Sequence, residues 1–436
     1  MKCIAALTAF TLAFPAFLTR GQENSGPDHA MSHDMHHMSS TNSMDHMDHE
    51  MKGLYGPYPM TREASGTAWQ PEASPMEGLH YMHEDWMFML HGFAFAVYDY
   101  QSGDRGDRKF FSPNMLMGMA QHPLGTGTFG FRSMLSLEPA TIGKTGYPLL
   151  LQTGETADGR TPLIDRQHPH DLFMELAATY SVPITDESAA FAYFGYPGEP
   201  ALGPATFMHR FSGMDIPEAP ITHHWLDSTH ITFGVATIGL VWRQFKLDAS
   251  VFTGREPDES RWNFDRPRFD SYSARLTYNP TKAWSMQVSY GDIHSPEKLE
   301  PDVDVERVTA SISYHYAWSG NNWQTTFAWG RNINDPGRSL DGFLLESLIN
   351  LHDAHTVFAR AERVDKDELF PPGNPREGQK FTVNKLTLGY IYDFPKWNHL
   401  KFGLGGSGNV HILPSSLNST YGDNPLSFML FARLKL

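Results

Sequence analysis

The fold class predicted for this sequence is all-β: a transmembrane antiparallel β-barrel of about 16 strands, within a range of roughly 14–18, behind a His/Met-rich N-terminal extension. Three observations predict it. Apolar and polar residues alternate over stretches of about 9–13 residues, longer than ordinary soluble strands and suited to a tilted bilayer crossing. Short turns (YNPTKAW, DFPKWNH) alternate with long connections at 141–170, 197–229, 255–269 and 365–378, the layout of an outer-membrane barrel. The chain also closes on an alternating strand, with Phe428, Leu430, Ala432, Leu434 and Leu436 on one face and Arg433 and Lys435 on the other.

The elements follow in order. Residues 86–98 place Trp86, Phe88, Leu90, Gly92, Ala94, Ala96 and Tyr98 on one face. Segments 230–242 and 245–253 read as a hairpin, and 271–278 and 284–293 as another, joined by Asn279-Pro280-Thr281-Lys282. Further strands are expected at 306–317, 323–331, 343–351, 355–364, 381–392, 399–410 and 426–436. At roughly 22 residues per strand and connection, the stretch from residue 80 holds about 16. The competing reading is an exported β-sandwich or propeller. Strand length and the lack of a blade repeat favour the barrel.

Composition fits an exported protein. The 436 residues carry a net charge of −15, 13% aromatics and a single Cys, Cys3. With no Lys/Arg blocks to neutralise phosphates, nucleic acid is excluded as a partner. Residues 1–20, with Lys2 ahead of an apolar run from Ile4 to Leu18, read as a signal peptide. Its removal leaves no thiol, which excludes disulfide scaffolding and thiol catalysis. No GxSxG, HExxH or CxxC occurs, so an enzyme is not expected. The division is therefore 1–20 signal peptide, 21–52 tail, 53–79 extended linker that could enter the lumen, and 80–436 barrel.

The strongest chemical signal is the tail. Between residues 28 and 51 stand His29, His33, His36, His37, His46 and His49, with Met31, Met35, Met38, Met44, Met47 and Met51. The stretch has no Leu, Ile, Val or aromatic residue, so it has nothing to bury and is expected to lack fixed structure without a ligand. Thioethers suit Cu(I) or Ag(I), and imidazoles suit Cu(II), Zn(II) and Ni(II). Closely spaced on a flexible chain, they favour capture and hand-over of an ion. A solvated linker that binds nothing is the bland alternative, but it gives no reason for combining these two residue types.

A second candidate lies in two loops: Asp165, His168, His170 and Asp171 in one, His223, His224, Asp227 and His230 in the other. A hydrogen-bonded loop network with Arg160, Arg166 and Arg210 explains the same residues without metal. A third is a run of methionines on the early strands. Met82, Met87, Met89 and His91 are followed by Met115, Met117 and Met119, then His122. The last three Met alternate on one face and would form a thioether ladder if that face is inward, although Met is more often packing material.

The blocks GLYGPYPMTREASGTAWQP, GETADGRTPLIDRQHPHDLFMEL, GEPALGPATFMHRFSGMD and APITHHWLDSTHITFG, spanning residues 53–234, resemble those of bacterial outer-membrane proteins encoded beside copper-resistance genes. The architecture is also similar to the outer-membrane copper resistance protein B family, whose members join a Met/His/Asp-rich stretch to a barrel, although these blocks are not that family's motifs. The resemblance implies copper tolerance in a Gram-negative envelope, and it carries over no catalytic residues. The expected ligands and partners are copper ions, the outer-membrane bilayer and periplasmic copper proteins, with the tail in the periplasm. Two alternatives stand beside this: a general porin whose tail only buffers metal, and an outer-membrane hydrolase using a loop histidine such as His170 or His224.

Overall fold

A computed structural model describes residues 51–436. The tail ligands from His29 to His49 and the expected signal peptide lie outside the described residues; Met51 lies at their edge.

The fold is the expected closed antiparallel barrel. Its first strands are β1 (Trp86–Gln101), β2 (Arg108–Phe111 and Asn114–Leu124), β3 (Gly127–Leu135), β4 (Phe173–Thr185) and β5 (Ser188–Gly195). They are followed by β6 (Val235–Trp242), β7 (Phe245–Phe252), β8 (Ser271–Tyr278), β9 (Trp284–Ile293), β10 (Asp304–Trp318) and β11 (Asn321–Asp335). The last are β12 (Ser339–Leu351), β13 (His355–Lys366), β14 (Phe381–Asp393), β15 (Lys401–Ile412) and β16 (Leu426–Lys435). Each strand pairs with its neighbours in sequence, and β16 returns to β1 with Lys435 opposite Phe93, so no edge is left open. A short strand, Leu79–His83, folds back on the start of β1.

Alternation decides which side chain faces where. In β7, Lys246, Asp248, Ser250 and Phe252 are buried while Phe245, Leu247, Ala249 and Val251 face out. In β14, Val383, Lys385 and Thr387 point inward and Leu386, Leu388 and Tyr390 outward. Aromatic rings cluster near the short turns, as in the Phe245–Tyr278 stack at 4.4 Å and the Trp284–Tyr314 pair at 4.5 Å. Another set, including Tyr100 and Phe428 at 5.5 Å, lies toward the long-loop end. An outward apolar band between two aromatic girdles is what a bilayer demands of a barrel.

One expected strand is shorter than its sequence pattern. His230 falls in a 3-10 turn, Ser228–His230, and β6 begins at Val235 beyond Gly234, whose φ of +105° breaks the extended run.

The interior is filled. From the short-turn end, residues 51–77 pack inside the wall. Thr67 Oγ1 donates to Asp248 at 2.6 Å, Arg132 Nη2 donates to the Gly66 carbonyl at 2.5 Å, and Tyr55 lies 4.8 Å from Phe191. From the other end, loops 136–172 and 196–234 turn inward, so that Leu149, Leu150, Leu151, Trp225 and Leu226 join Leu344, Phe358 and Phe431 in one apolar core. Trp225 fits because Gly330 and Gly342 face it: a Cβ on Gly330 would stand 2.0 Å from the Trp225 carbonyl oxygen.

Several of the charges buried inside are paired. Glu346 on β12 accepts from Arg360 Nε of β13 at 2.9 Å and from loop Arg210 Nε at 2.7 Å. Glu218 accepts from Lys385 at 2.6 Å, and Arg433 pairs with Asp393 at 2.7 Å.

Two outcomes follow. Leu388→Arg on the lipid face (64% exposed) is expected to cost about 2–4 kcal/mol near the bilayer midplane. Glu346→Gln, which takes the carboxylate from Arg360 and one of two from Arg210, is expected to cost about 3–5 kcal/mol. Urea unfolding in lipid vesicles measures both, and unchanged midpoints would contradict this assignment of faces and partners.

Candidate functional site

The site is a cluster of imidazoles and carboxylates at the long-loop end, supplied by four different loops. Its foundation is a chain of buried contacts from the wall. Glu346 holds Arg210, and Arg210 Nη1 donates to Asp227 Oδ2 at 3.0 Å. Asp227 Oδ1 faces His223 Nδ1 at 2.7 Å, and the Asp227 carbonyl faces His230 Nδ1 at 2.9 Å. Burial alone would push the Asp227 carboxyl up, but His223 and Arg210 together hold it well below the usual range.

A carboxylate or carbonyl acceptor at Nδ1 fixes a neutral imidazole with its proton there and leaves Nε2 as a free lone pair, the arrangement common behind metal-ligating histidines. His170 differs: its backbone N–H donates to Glu138 Oε2 at 2.9 Å, and although that oxygen also lies 2.9 Å from Nδ1, neither ring nitrogen of His170 has a hydrogen-bond partner among the described residues. The Nε2 atoms of His170 and His230 are buried and have no hydrogen-bond partner among the described residues. The rings gather: His170–His230 and His223–His230 centroids are each 5.2 Å apart, and His223–His224 are 5.6 Å apart. Burial pushes the imidazoles of His168, His223, His224 and His230 below their usual range, so they stand neutral near pH 7.

His224 faces a second constellation. Its Nδ1 lies 3.7 Å from both Glu256 and Glu297, and ligand atoms of these three residues all lie within 4.8 Å of one another. Burial, then mutual repulsion with Glu297, pushes the Glu256 carboxyl up; burial raises Glu297 to about 7. Two half-buried carboxylates side by side call for a proton or a cation between them. The loop is shaped for this ring, since Gly154 has φ +99° and a Cβ there would stand 2.3 Å from His224 Cε1.

Of the residues singled out in the sequence, His168, His170, His223, His224, Asp227 and His230 come together. His168 joins through a 6.2 Å ring contact with His224, and its Nε2 lies 3.1 Å from Glu155. Asp165 and Asp171 do not belong. Asp165 is drawn away by the Leu151 amide at 2.7 Å and Arg105 at 3.1 Å, and Asp171 by Arg261 at 3.0 Å. Spacing could not show which carboxylates a guanidinium would claim. The sequence reading also missed Glu138, Glu155, Glu256 and Glu297; the only local signal was Glu155 in the GETADGR block.

No known family profile matches this chain, and no curated protein matches it. Solved structures do. An anion-selective porin from Comamonas acidovorans matches with 10% identity and a TM-score of 0.51 over 80% of this chain and 100% of its own. Salmonella typhi OmpF in complex with daunomycin has 8% identity and a TM-score of 0.49 over 82% and 100%. The outer-membrane channel DcaP of Acinetobacter baumannii has 11% identity and a TM-score of 0.44 over 83% and 100%. The likeness is one of fold. With the lipid-facing band and girdles, it defines a porin-like β-barrel of bacterial outer-membrane type. None of these matches ties the chain to the copper resistance protein B family.

Relieving the acid pair separates the two roles of this cluster. Glu297→Gln is expected to leave metal-free stability unchanged or higher while lowering Zn(II) affinity on the order of tenfold or more, a loss of the size seen when groups at a metal site are removed. Melting with and without Zn(II) reads both. A lower metal-free melting point with an intact Zn(II) response would remove the site.

Proposed function

We propose that this barrel handles transition-metal cations, copper foremost, at the outer membrane. The tail from His29 to Met51 is read as the capturing element and the His/Glu cluster as a binding station in the barrel mouth. The observation that carries this reading is the gathering of buried imidazoles in which Nε2 of His170, of His224 and of His230 lacks a hydrogen-bond partner among the described residues. Purely structural histidines rarely leave buried nitrogens unpaired. The first described residues, from 51, and the last strand's end at Lys435 both belong to the short-turn end of the barrel, which in outer-membrane barrels faces the periplasm. On that orientation the tail and its expected partners, periplasmic copper proteins, share a compartment, and the cluster lies toward the exterior.

The second reading is a general porin with an incidental tail. Its support is the fold likeness together with a cavity of about 640 Å³ at the long-loop end, lined by residues such as Arg255, Glu256 and Lys298. Against it stands the filled interior, in which residues 51–77 and two loops occupy the space an open pore would need. A hydrolase receives less support, because the closest polar contacts of His170 and His224 run to the carboxylates of Glu138, Glu256 and Glu297.

The experiment pairs growth with conductance. Deleting residues 28–51, or replacing His168, His170, His223 and His224 by Ala, is expected to lower copper tolerance. The wild-type barrel in planar bilayers is expected to pass far less KCl current than an open porin. Normal copper tolerance in both variants, with large unselective conductance, would install the general porin instead.

A further inference from the structure

At the opposite end of the lumen lies a group of ligands with different chemistry. The inward faces of β1, β2 and β3 carry thioethers in register. Met89 stands opposite Met119, His91 opposite Met117, and Met117 opposite Met134. Directly opposed strand residues have Cβ atoms about 5 Å apart, within reach for long side chains to share one centre. Met89, Met117, Met119 and His91 line a cavity of about 90 Å³ together with loop residues His209 and Met214; its lining also includes Glu63, Glu77, which is paired with Lys435 at 2.6 Å, and Arg132, which is paired with Glu175 at 2.7 Å. The His91 and His209 rings lie 6.2 Å apart. His91 is 6% exposed. Neither His91 Nδ1 nor His209 Nε2, both buried, has a hydrogen-bond partner among the described residues.

A packing role explains the methionines singly, since Met adapts to irregular gaps. It does not explain the combination. A packed apolar cluster closes its voids, and buried imidazole nitrogens find partners. Here a cavity persists at the point where several sulfurs and two unpaired nitrogens converge. Thioether and imidazole are soft, neutral ligands, so they suit a soft ion of low charge and do nothing to offset a second positive charge.

We propose that this cavity binds a soft monovalent d10 cation, Cu(I) or Ag(I), through thioethers among Met89, Met117, Met119 and Met214 with His91 and His209. It is separate from the nitrogen- and oxygen-rich cluster at the other end. Its use in handling a metal rests on the reading given under Proposed function; binding itself does not.

The test uses the full chain in detergent micelles, labelled with ¹³C-methyl methionine and titrated with silver nitrate, Ag(I) being stable to oxidation. Single Met→Leu variants assign the methyl signals and conserve volume. The signals of Met89, Met117, Met119 and Met214 are expected to move together in a saturable step. The M117L/M119L double variant is expected to lose one bound Ag(I) per chain and to leave the Met89 and Met214 methyls unmoved. Cavity methyls that stay in place while other methionines saturate, or a double variant with unchanged stoichiometry, would overturn the site. A Zn(II) titration separates the two proposals. Loop histidines that respond to Zn(II) while the cavity methyls stay silent to Ag(I) sink only this inference. A responsive cavity beside silent loop histidines sinks only the mouth site.

Discussion

The ion pairs between Glu346, Arg360 and Arg210 govern how the interior of this barrel is organised. Glu346 and Arg360 are wall residues, inward by strand alternation, whereas Arg210 comes from a loop entering the lumen. A carboxylate in such a place is tolerable only if fully paired, because the loss on leaving water exceeds what one weak partner returns. Two guanidinium groups satisfy it, and the second brings Asp227 with it. Asp227 then orients His223 through its side chain and His230 through its carbonyl. The orientation of the imidazole cluster is thus inherited from the membrane-spanning wall, by three contacts each about 3 Å long or less.

The same logic explains why loops fill this lumen. A 16-strand wall encloses more space than its own side chains can close. The two long inward loops supply the missing apolar volume through Leu149, Leu150, Leu151, Trp225 and Leu226, and glycines at 330 and 342 let them approach. Displacing lumen water lowers the local dielectric, so each buried polar group must find a partner. Unpaired buried atoms are scattered through the described residues, His315 Nδ1 and His411 Nε2 among them, but those of His170, His224 and His230 fall together in one cluster and those of His91 and His209 in another.

The barrel was legible in the sequence because a bilayer enforces strict alternation. Lys246, Asp248 and Ser250 between Phe245, Leu247, Ala249 and Val251 admit only one reading. It was less legible across β4 and β5, where Ala177, Ala178, Ala189, Ala190 and Ala192 blunt the contrast between faces. The loop histidines were visible as a group, but their partners were not. Glu256 and Glu297 reach His224 from two further loops, 253–270 and 294–303, and no local spacing announces a contact made only after closure. The inward direction of Met115, Met117 and Met119 followed from a choice of face that only strand register decides.

The two ends of the lumen therefore differ in chemistry. At the long-loop end the donor atoms on offer are imidazole nitrogens and carboxylate oxygens, a set suited to borderline divalent ions. At the short-turn end they are thioethers with two histidines. Between them, Met115, Met134, Met174 and Met208 continue the thioether surface to Phe207, whose ring lies 5.3 Å from His223 and 6.2 Å from His170. Thioethers are concentrated toward the short-turn end, where they stand beside His91, His209, Glu63, Glu77 and Arg132, whereas the long-loop cluster is built of imidazoles and carboxylates. On the reading proposed above, an ion passing along the lumen would meet both kinds of ligand, and copper, whose preferred ligands change with its oxidation state, is a metal that such a path would suit.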